Sequence, residues 1–346
     1  MGVIIESMSV PPIALDVMGG DRGTAELVAG GVAAVRQDGA SIAMVGRRTE
    51  IEAALAAVKA TDLSIEIVDA PDVIEMSDNP VATVRARPQS SIVVGVAGVR
   101  AGQAAGFVST GNSGAVMAAA VLGLGRVRGV DRPALASAFP TLHGYCLLCD
   151  IGANLDCRPE NLLQFGVMAS TYWERVFGVT NPRVGLLSNG EEDSKGNTLV
   201  RETHALLRQS SVNFVGNVEG KDIPHHSADV ILMDGFTGNV LLKTAEGTAT
   251  LVREVIRQEA RRSLLGSIGG LLMKGAFRRI SRRLDYQEYG GAPLLGVNGI
   301  CIIAHGRSDA RAVRSAIRVA RHAAESGLTE AVRSAVQSRA GVALGG

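Results

Sequence analysis

Short apolar runs of strand length alternate with stretches of helical periodicity along most of the chain, and this alternation constrains the fold more than any other feature. Ile13–Val17, Ser41–Val45, Ser64–Val68, Gly106–Ser109, Tyr145–Asp150, Arg183–Ser188, Val212–Val215, Asp229–Met233 and Gly299–Ala304 read as strands. Thr24–Arg36, Thr49–Lys59, Ala115–Ala120, Asn197–Arg208 and Asp309–Ala323 read as helices. Strands separated by helices of this length imply βαβ units, hence an α/β fold with a doubly wound, mostly parallel sheet. No internal repeat or low-complexity linker marks a boundary, so residues 13–335 are expected to form a single α/β domain, with room for two closely packed subdomains.

The strand ends carry the chemistry. Strand after strand runs into glycine and small polar residues: Asp16 then Gly19-Gly20-Asp21; Ser109-Thr110-Gly111-Asn112-Ser113-Gly114; Asp150 then Gly152-Ala153-Asn154; Ser188-Asn189-Gly190; and Asp234-Gly235-Phe236-Thr237-Gly238-Asn239. In an open parallel sheet such carboxyl ends share one edge, where ligands bind. The expected substrate cleft therefore takes Asp16, Gly19, Gly20, Asp21, Asn154, Asn189 and Asp234. Glycine is abundant, with 42 of 346 residues, and the loops give it a purpose in close backbone approach.

Composition excludes other classes. Lys+Arg number 35 against 34 Asp+Glu, and aromatic residues make up 3%. A nucleic-acid binder of the general kind needs more positive charge and more stacking platforms. With 46% hydrophobic residues the chain is not a disordered one. The 4 cysteines are too few for a disulfide scaffold, which suits a reducing cytoplasm. Cys146 and Cys149 sit inside an apolar run and read as buried small hydrophobes. The adjacent His225 and His226 would point apart in any regular element, and no metal site is expected. No signal peptide and no run long enough to span a membrane is read.

Two readings of Ser109–Gly114 stand side by side. The loop leads from a strand into a helix, so its amides and hydroxyls suit a phosphate or carboxylate; the same residues also suit an ordinary helix cap. Ser109, Gly111, Asn112, Ser113 and Gly114 are the phosphate-binding candidates. Neither familiar nucleotide loop is present: no Gly-x-x-x-x-Gly-Lys string occurs, and Gly123-Leu124-Gly125 continues into Arg126-Val127-Arg128-Gly129 with the wrong spacing. Lys195, in Glu191-Glu192-Asp193-Ser194-Lys195-Gly196-Asn197, is either a solvated loop charge or a cation for phosphate or a developing oxyanion. Asn239 offers an amide donor, and His305 at another strand end is a catalytic candidate or a turn residue. No Gly-x-Ser-x-Gly elbow supports a protein nucleophile.

Taken in order, Asp16-Val17-Met18-Gly19-Gly20-Asp21, Asp150-Ile151-Gly152-Ala153-Asn154 with Cys157-Arg158-Pro159-Glu160, the Glu191–Asn197 string, Asp234–Asn239 and Tyr289-Gly290-Gly291-Ala292-Pro293-Leu294-Leu295-Gly296 resemble the bacterial phosphate acyltransferase family of phospholipid synthesis. The resemblance covers about residues 13–330. It departs where the family more often reads Ser-Ala-Gly-Asn-Thr-Gly and this chain has Ser109–Gly114. The resemblance implies transfer of a long fatty acyl group from acyl carrier protein to inorganic phosphate, giving acyl phosphate, with no cofactor. It also implies a homodimer with a sandwich fold related to phosphotransacetylases and the isocitrate dehydrogenase type. Lys195, Asn239 and His305 are its catalytic candidates here, and the product would pass to a membrane glycerol-phosphate acyltransferase.

One segment departs from the balanced charge. Between Arg261 and Arg283 stand Arg261, Arg262, Lys274, Arg278, Arg279, Arg282 and Arg283, with no acid. Leu264, Leu265, Ile268, Leu271, Leu272, Ile280 and Leu284 recur near helical spacing among them, while Gly266, Gly269, Gly270 and Gly275 argue for a broken or hairpin-like tip. Residues 243–285 are expected to form a helical projection that lies on an anionic membrane surface, with Leu271, Leu272, Lys274, Arg278, Arg279, Arg282 and Arg283 in contact. Dimer packing with cations turned to acidic carrier protein is the other reading. The expected location is the cytoplasm, peripherally on the inner face of the membrane.

Overall fold

The computed structural model describes residues 10–284 and 290–343. In chain order the elements are β1 (Ile13–Asp16), α1 (Thr24–Asp38), β2 (Ile42–Gly46), α2 (Arg48–Ala57), β3 (Glu66–Asp69), α3 (Pro80–Ala86), α4 (Ser91–Arg100), β4 (Gly106–Ser109), α5 (Ser113–Gly123), β5 (Ala134–Thr141) and β6 (Gly144–Cys149). There follow α6 (Pro159–Phe177), β7 (Val184–Ser188), α7 (Thr198–Gln209), β8 (Phe214–Glu219), β9 (Val230–Leu232), α8 (Gly235–Arg261), α9 (Leu264–Leu272), α10 (Lys274–Leu284), β10 (Ala292–Leu295), β11 (Cys301–Ile303), α11 (Ala310–Glu325) and α12 (Leu328–Ala343). The fold is α/β, and the chain divides into two compact units: one takes the described residues through Val127 with Gly296–Ala331, the other Arg128–Leu295 and the described residues from Val332 on.

In the first unit the strand order is β3-β2-β1-β4-β11, all parallel. Ile13–Asp16 and Ile42–Gly46 are buried at every position, as strands covered on both faces must be. That is why these runs read as continuously apolar rather than alternating. Leu15, Met44, Phe107 and Val108 are fully buried at the centre, and a large apolar side chain removed from water in this way contributes about 1.5–3 kcal/mol. Parallel pairing sets the carboxyl ends of β1, β4 and β11 side by side, in the register Ile13↔Gly106 and Cys301↔Phe107.

The second unit has the order β10-β5-β6-β9-β7-β8. β6, β9, β7 and β8 run parallel, whereas β5 is antiparallel to both β6 and β10. Neither β5 nor β10 is anticipated from sequence: Ala134–Thr141 is alanine-rich and contains Pro140, while Ala292–Leu295 is short and contains Pro293. Pairing to a neighbouring strand, more than local propensity, makes them strands. Cys146 and Cys149 are buried on β6, as expected, and burial pushes the Cys146 thiol up to about 12. His226 is turned by its left-handed backbone toward Thr141 Oγ1 and Asp229 Oδ1, at 3.1 and 3.0 Å.

The expected break in the basic segment is present, and it falls beside the glycines. Ser263 caps α9 after α8 ends, and Met273 separates α9 from α10. Gly266, Gly269 and Gly270 lie inside α9. A β-carbon at Gly266 would stand 2.8 Å from the Ala260 carbonyl oxygen, so this glycine lets α9 fold closely back on α8.

Candidate functional site

In the first unit three strand-end loops interlock around a buried carboxylate. Asp16, the last residue of β1, accepts hydrogen bonds from the Met18 amide (3.0 Å), the Gly19 amide (3.3 Å) and the Ser109 hydroxyl (2.7 Å). Ser109 Oγ in turn accepts the Gly111 amide at 3.0 Å, and Thr110 Oγ1 donates to the Gly19 carbonyl at 3.0 Å. Burial pushes the Asp16 pKa up from its ordinary value, opposed first by the Ser109 hydroxyl. The glycines are required by contact: a β-carbon at Gly19 would lie 2.6 Å from Gly111 Cα, and Gly20 has φ +90 with Thr110 Oγ1 2.6 Å from where its β-carbon would be. The Asp21 amide closes the cluster by donating to the Gly306 carbonyl at 2.7 Å.

The phosphate candidates divide into frame and surface. Asn112 caps α5 by accepting the Ala115 amide, and its own amide donates to the carbonyls of Glu75, Met76 and Asp78 at 3.2 Å each. That side chain is committed to the frame, as are Ser109 and the Gly111 amide. Ser113, whose side chain is exposed, and Gly114 begin α5. Their amides bond no acceptor among the described residues, and a helix N-terminus of this kind favours an anion. His305 is half-buried; its Nδ1 accepts the Arg307 amide at 3.1 Å and its carbonyl accepts the Ser308 amide at 2.9 Å.

The second unit repeats the device. Asp150, which follows β6, accepts five hydrogen bonds: Leu135, Gly152 and Ala153 amides on Oδ1, the Asn154 amide and the Asn154 side-chain amide on Oδ2, at 2.7–3.2 Å. Burial pushes its pKa up while these donors oppose the shift. The carbonyl of Asn154 accepts the Gly235 amide at 2.7 Å. A β-carbon at Gly235 would stand 2.6 Å from that oxygen, and one at Gly238 only 2.0 Å from the Asp150 carbonyl. The N-terminus of α8 therefore rests directly on the 150–154 loop. Asp234 caps α8, accepting the Thr237 amide (2.9 Å) and hydroxyl (2.7 Å).

Asn239, read from sequence as the end of a loop, lies instead in α8 and is exposed. Helical spacing puts Phe236 and Val240 on the same face, and both are exposed, as is Leu155 of the neighbouring loop. Sequence reasoning missed these apolar neighbours, which have no signal beyond hydrophobicity. Lys195 is exposed, on a loop held by the Gly196 amide donating to Asn189 Oδ1 (2.8 Å) and the Asn217 amide donating to the Glu192 carbonyl (2.8 Å). Oxygens of Glu191, Glu219 and Asp222 lie within 4.8 Å of one another. Lys221 pairs with Glu219, so an ammonium already answers part of that charge.

On the helical segment Leu265, Ile268, Leu271 and Leu272 are among the most exposed large apolar side chains, Leu272 at 81%. Lys274 and Arg279 are exposed on α10; Arg278, Arg282 and Arg283 belong to α10, and their side chains lie outside the described ones, as does Tyr289. Leu251, Val252, Val255 and Ile256 form a second exposed apolar stripe on α8. Among the described residues no helix is long and apolar enough to cross a membrane.

Comparison with known proteins bears on this geometry. The sequence profile of the family described as "Fatty acid synthesis protein" matches residues 12–331. A phosphate acyltransferase of Pelotomaculum thermopropionicum is 48% identical over 94% of this chain and 95% of its own length. One of Heliobacterium modesticaldum is 46% identical, covering 94% and 98%. Among solved structures, a phosphotransacetylase of Staphylococcus aureus matches 91% of this chain and 94% of its own with TM-score 0.61 at 16% identity. A 4-hydroxythreonine-4-phosphate dehydrogenase of Klebsiella pneumoniae matches 91% and 99% with TM-score 0.53 at 16% identity. At such identities these two structures speak to the fold alone.

Proposed function

The chain belongs to the phosphate acyltransferase family of fatty acid and phospholipid synthesis, and from that premise we propose that it transfers a long-chain acyl group from acyl carrier protein to inorganic phosphate by direct attack. A phosphate oxygen adds to the thioester carbonyl carbon, the carbonyl oxygen becomes an oxyanion, and the carbon–sulfur bond breaks to release the thiolate and acyl phosphate. The nucleophile arrives already charged and the leaving thiol has an ordinary pKa of about 8.5. No covalent intermediate on the protein is needed. What the protein supplies is position and stabilisation of negative charge.

The observation that carries the reading is the β4–α5 loop. Its Ser109 and Thr110 hydroxyls and its Asn112 amide are committed to bonds inside the unit, while the start of α5 offers the Ser113 and Gly114 amides and the Ser113 hydroxyl to an anion. In this proposal phosphate binds there. Of the second unit's residues, Lys195 is assigned to neutralise negative charge in the reaction and Asn239 to donate to the thioester carbonyl, with exposed Phe236 and Val240 against the first carbons of the acyl chain. Asp16, Asn154 and Asp234 hold the loops and take no part in bond making.

The test is to incubate the protein with long-chain acyl carrier protein and phosphate, trap acyl phosphate with hydroxylamine, and repeat with acyl-coenzyme A and without phosphate. Hydroxamate that forms only with phosphate, and faster from the carrier protein, supports the reading. Phosphate-independent thioester loss overturns it. Lys195→Ala and Asn239→Ala should each lower turnover about a hundredfold, and near-normal turnover removes that residue from the role.

The exposed leucines of α9 beside the cations of α10 support peripheral attachment to an anionic membrane, where acyl phosphate would be handed to a membrane glycerol-phosphate acyltransferase. Each cation at such a surface contributes about 1 kcal/mol. Flotation with vesicles containing anionic lipid tests this: binding that survives Leu271→Glu with Leu272→Glu overturns it. The α8 stripe of Leu251, Val252, Val255 and Ile256 suits a second copy of the chain. Sedimentation of Val255→Glu as wild type, whether both are dimers or both monomers, would sink that assignment.

A further inference from the structure

The loop that carries Lys195 is gripped from both sides, and one of the grips has no role in the chemistry described above. On the far side of Lys195, Gly196 is held by Asn189 (2.8 Å to its amide) and by Arg201, which donates to its carbonyl at 2.6 Å. On the near side, Asp193 lies against two side chains one turn apart on α7, hydrogen-bonded to Arg208 and close to His204. Arg208 Nη2 lies 2.9 Å from Asp193 Oδ2, and His204 Nε2 lies 3.2 Å from Oδ1. Arg208 and Asp193 are both exposed, and a pair of that kind fixes little by itself. His204 differs: it is 6% exposed and its ring stands edge-on to Phe214 with centroids 5.0 Å apart. Its Nε2 has no aligned hydrogen bond among the described residues, so the Asp193 carboxylate at ion-pair distance is the polar group it faces.

Lys195 depends on the loop for its direction. Its stem rests over Gly190, with Cγ 2.7 Å and Glu192 Oε2 2.9 Å from where a β-carbon would stand, and its ammonium pairs with no carboxylate among the described residues. Glu191, Glu192 and Asp193 all precede it within four residues. A carboxylate two residues away and free to turn would compete for that ammonium. Commitment of Asp193 removes one of these competitors, the one two residues away, and fixes the loop at the same time. We infer that Asp193, anchored on His204 and Arg208, is a positioning residue that keeps Lys195 extended and unpaired for its anionic substrate. The inference rests on the proposed role of Lys195.

The test is a double-mutant cycle on the full-length protein, with acyl carrier protein thioester and inorganic phosphate as substrates. Asp193→Asn should lower kcat/KM for phosphate about tenfold, and it should have no further effect in a Lys195→Ala background, since residues acting through one another are non-additive. Arg208→Met, a second variant on an exposed side chain, should lower the same constant by freeing the carboxylate; thermal unfolding checks that both variants are folded. An unchanged kcat/KM in Asp193→Asn and Arg208→Met overturns the inference, as does a loss by Asp193→Asn that is equally large with and without Lys195. Those two outcomes leave the role of Lys195 standing. Full activity in Lys195→Ala overturns that role and this inference together.

Discussion

Replacing Asp150 with asparagine changes one atom group and tests how the second unit builds its loop. The carboxylate meets five N–H donors and no acceptor, so only an acceptor with two oxygens satisfies them. In Asp150→Asn the carbonyl oxygen can keep the Leu135, Gly152 and Ala153 amides. The new amide then faces the two donors of Asn154, formerly at 2.7 and 2.8 Å from Oδ2. Each buried donor left without an acceptor costs about 1–3 kcal/mol, so a loss of about 2–6 kcal/mol is expected for the pair. That is a large share of the roughly 5–15 kcal/mol by which folded domains are stable. Urea unfolding at pH 7 with wild type alongside measures it through the midpoint and slope. A loss below about 1 kcal/mol would refute the reasoning, because it would mean that water or loop movement satisfies the Asn154 donors at little cost.

Gly238→Ala puts a β-carbon 2.0 Å from the Asp150 carbonyl oxygen, and should destabilise by about 3 kcal/mol or more in thermal unfolding. Gly247→Ala on the same helix meets nothing within 4 Å and should stabilise by about 0.5–1 kcal/mol; similar outcomes for both would refute the contact argument. Asp38 is held below the ordinary carboxylate range by its hydrogen bonds to Arg314, at 2.6 Å through each oxygen. Because its folded pKa is depressed, its stabilisation is present above the unfolded value of about 3.9 and is lost as pH falls through the folded value. Asp38→Asn should therefore cost about 1–2 kcal/mol at pH 7, with the gap from wild type closing in urea titrations near pH 3. A gap of equal size at both pH values would contradict the linkage. Phe236→Ser should lower kcat/KM about tenfold for a long-chain donor and little for a two-carbon one; equal losses would remove Phe236 from chain contact.

Legibility from sequence followed physical cause. The buried parallel strands were readable because both their faces exclude water, so Ile13–Leu15 and Ile42–Val45 are apolar without interruption. The pattern of aspartate followed by glycine marked both loop-organising carboxylates, Asp16 and Asp150, and Asp16, expected in the cleft, is buried among the loop amides it holds. Asn112 and Asp234 carried the ordinary signature of an N-cap and are caps. β5 and β10 were not readable: Ala134–Thr141 is alanine-rich and carries Pro140, which hides its hairpin with β6, and the short Ala292–Leu295 takes its partner β5 from far back along the chain. The need for glycine at 235 and 238 was equally hidden, since it comes from the backbone of residues 150–154, about eighty positions away. The placement of His204 and Arg208 beside Asp193 joins a helix to the loop before it, and nothing local in either segment announces it.

The interlocked loops of the first unit have a consequence for motion. Loop amides ordinarily exchange their protons with solvent quickly, because opening them breaks little. Here the Met18, Gly19 and Gly111 amides donate to groups that are themselves buried, Asp16 and Ser109, and Gly19 stacks on the backbone of Gly111. Opening any one of them uncovers a buried acceptor that another also uses or, at Ser109, one bonded to Asp16. The three amides should thus exchange together and slowly, at the pace of the β-strands they leave, so that the rim of this unit behaves in deuterium labelling as an extension of its core.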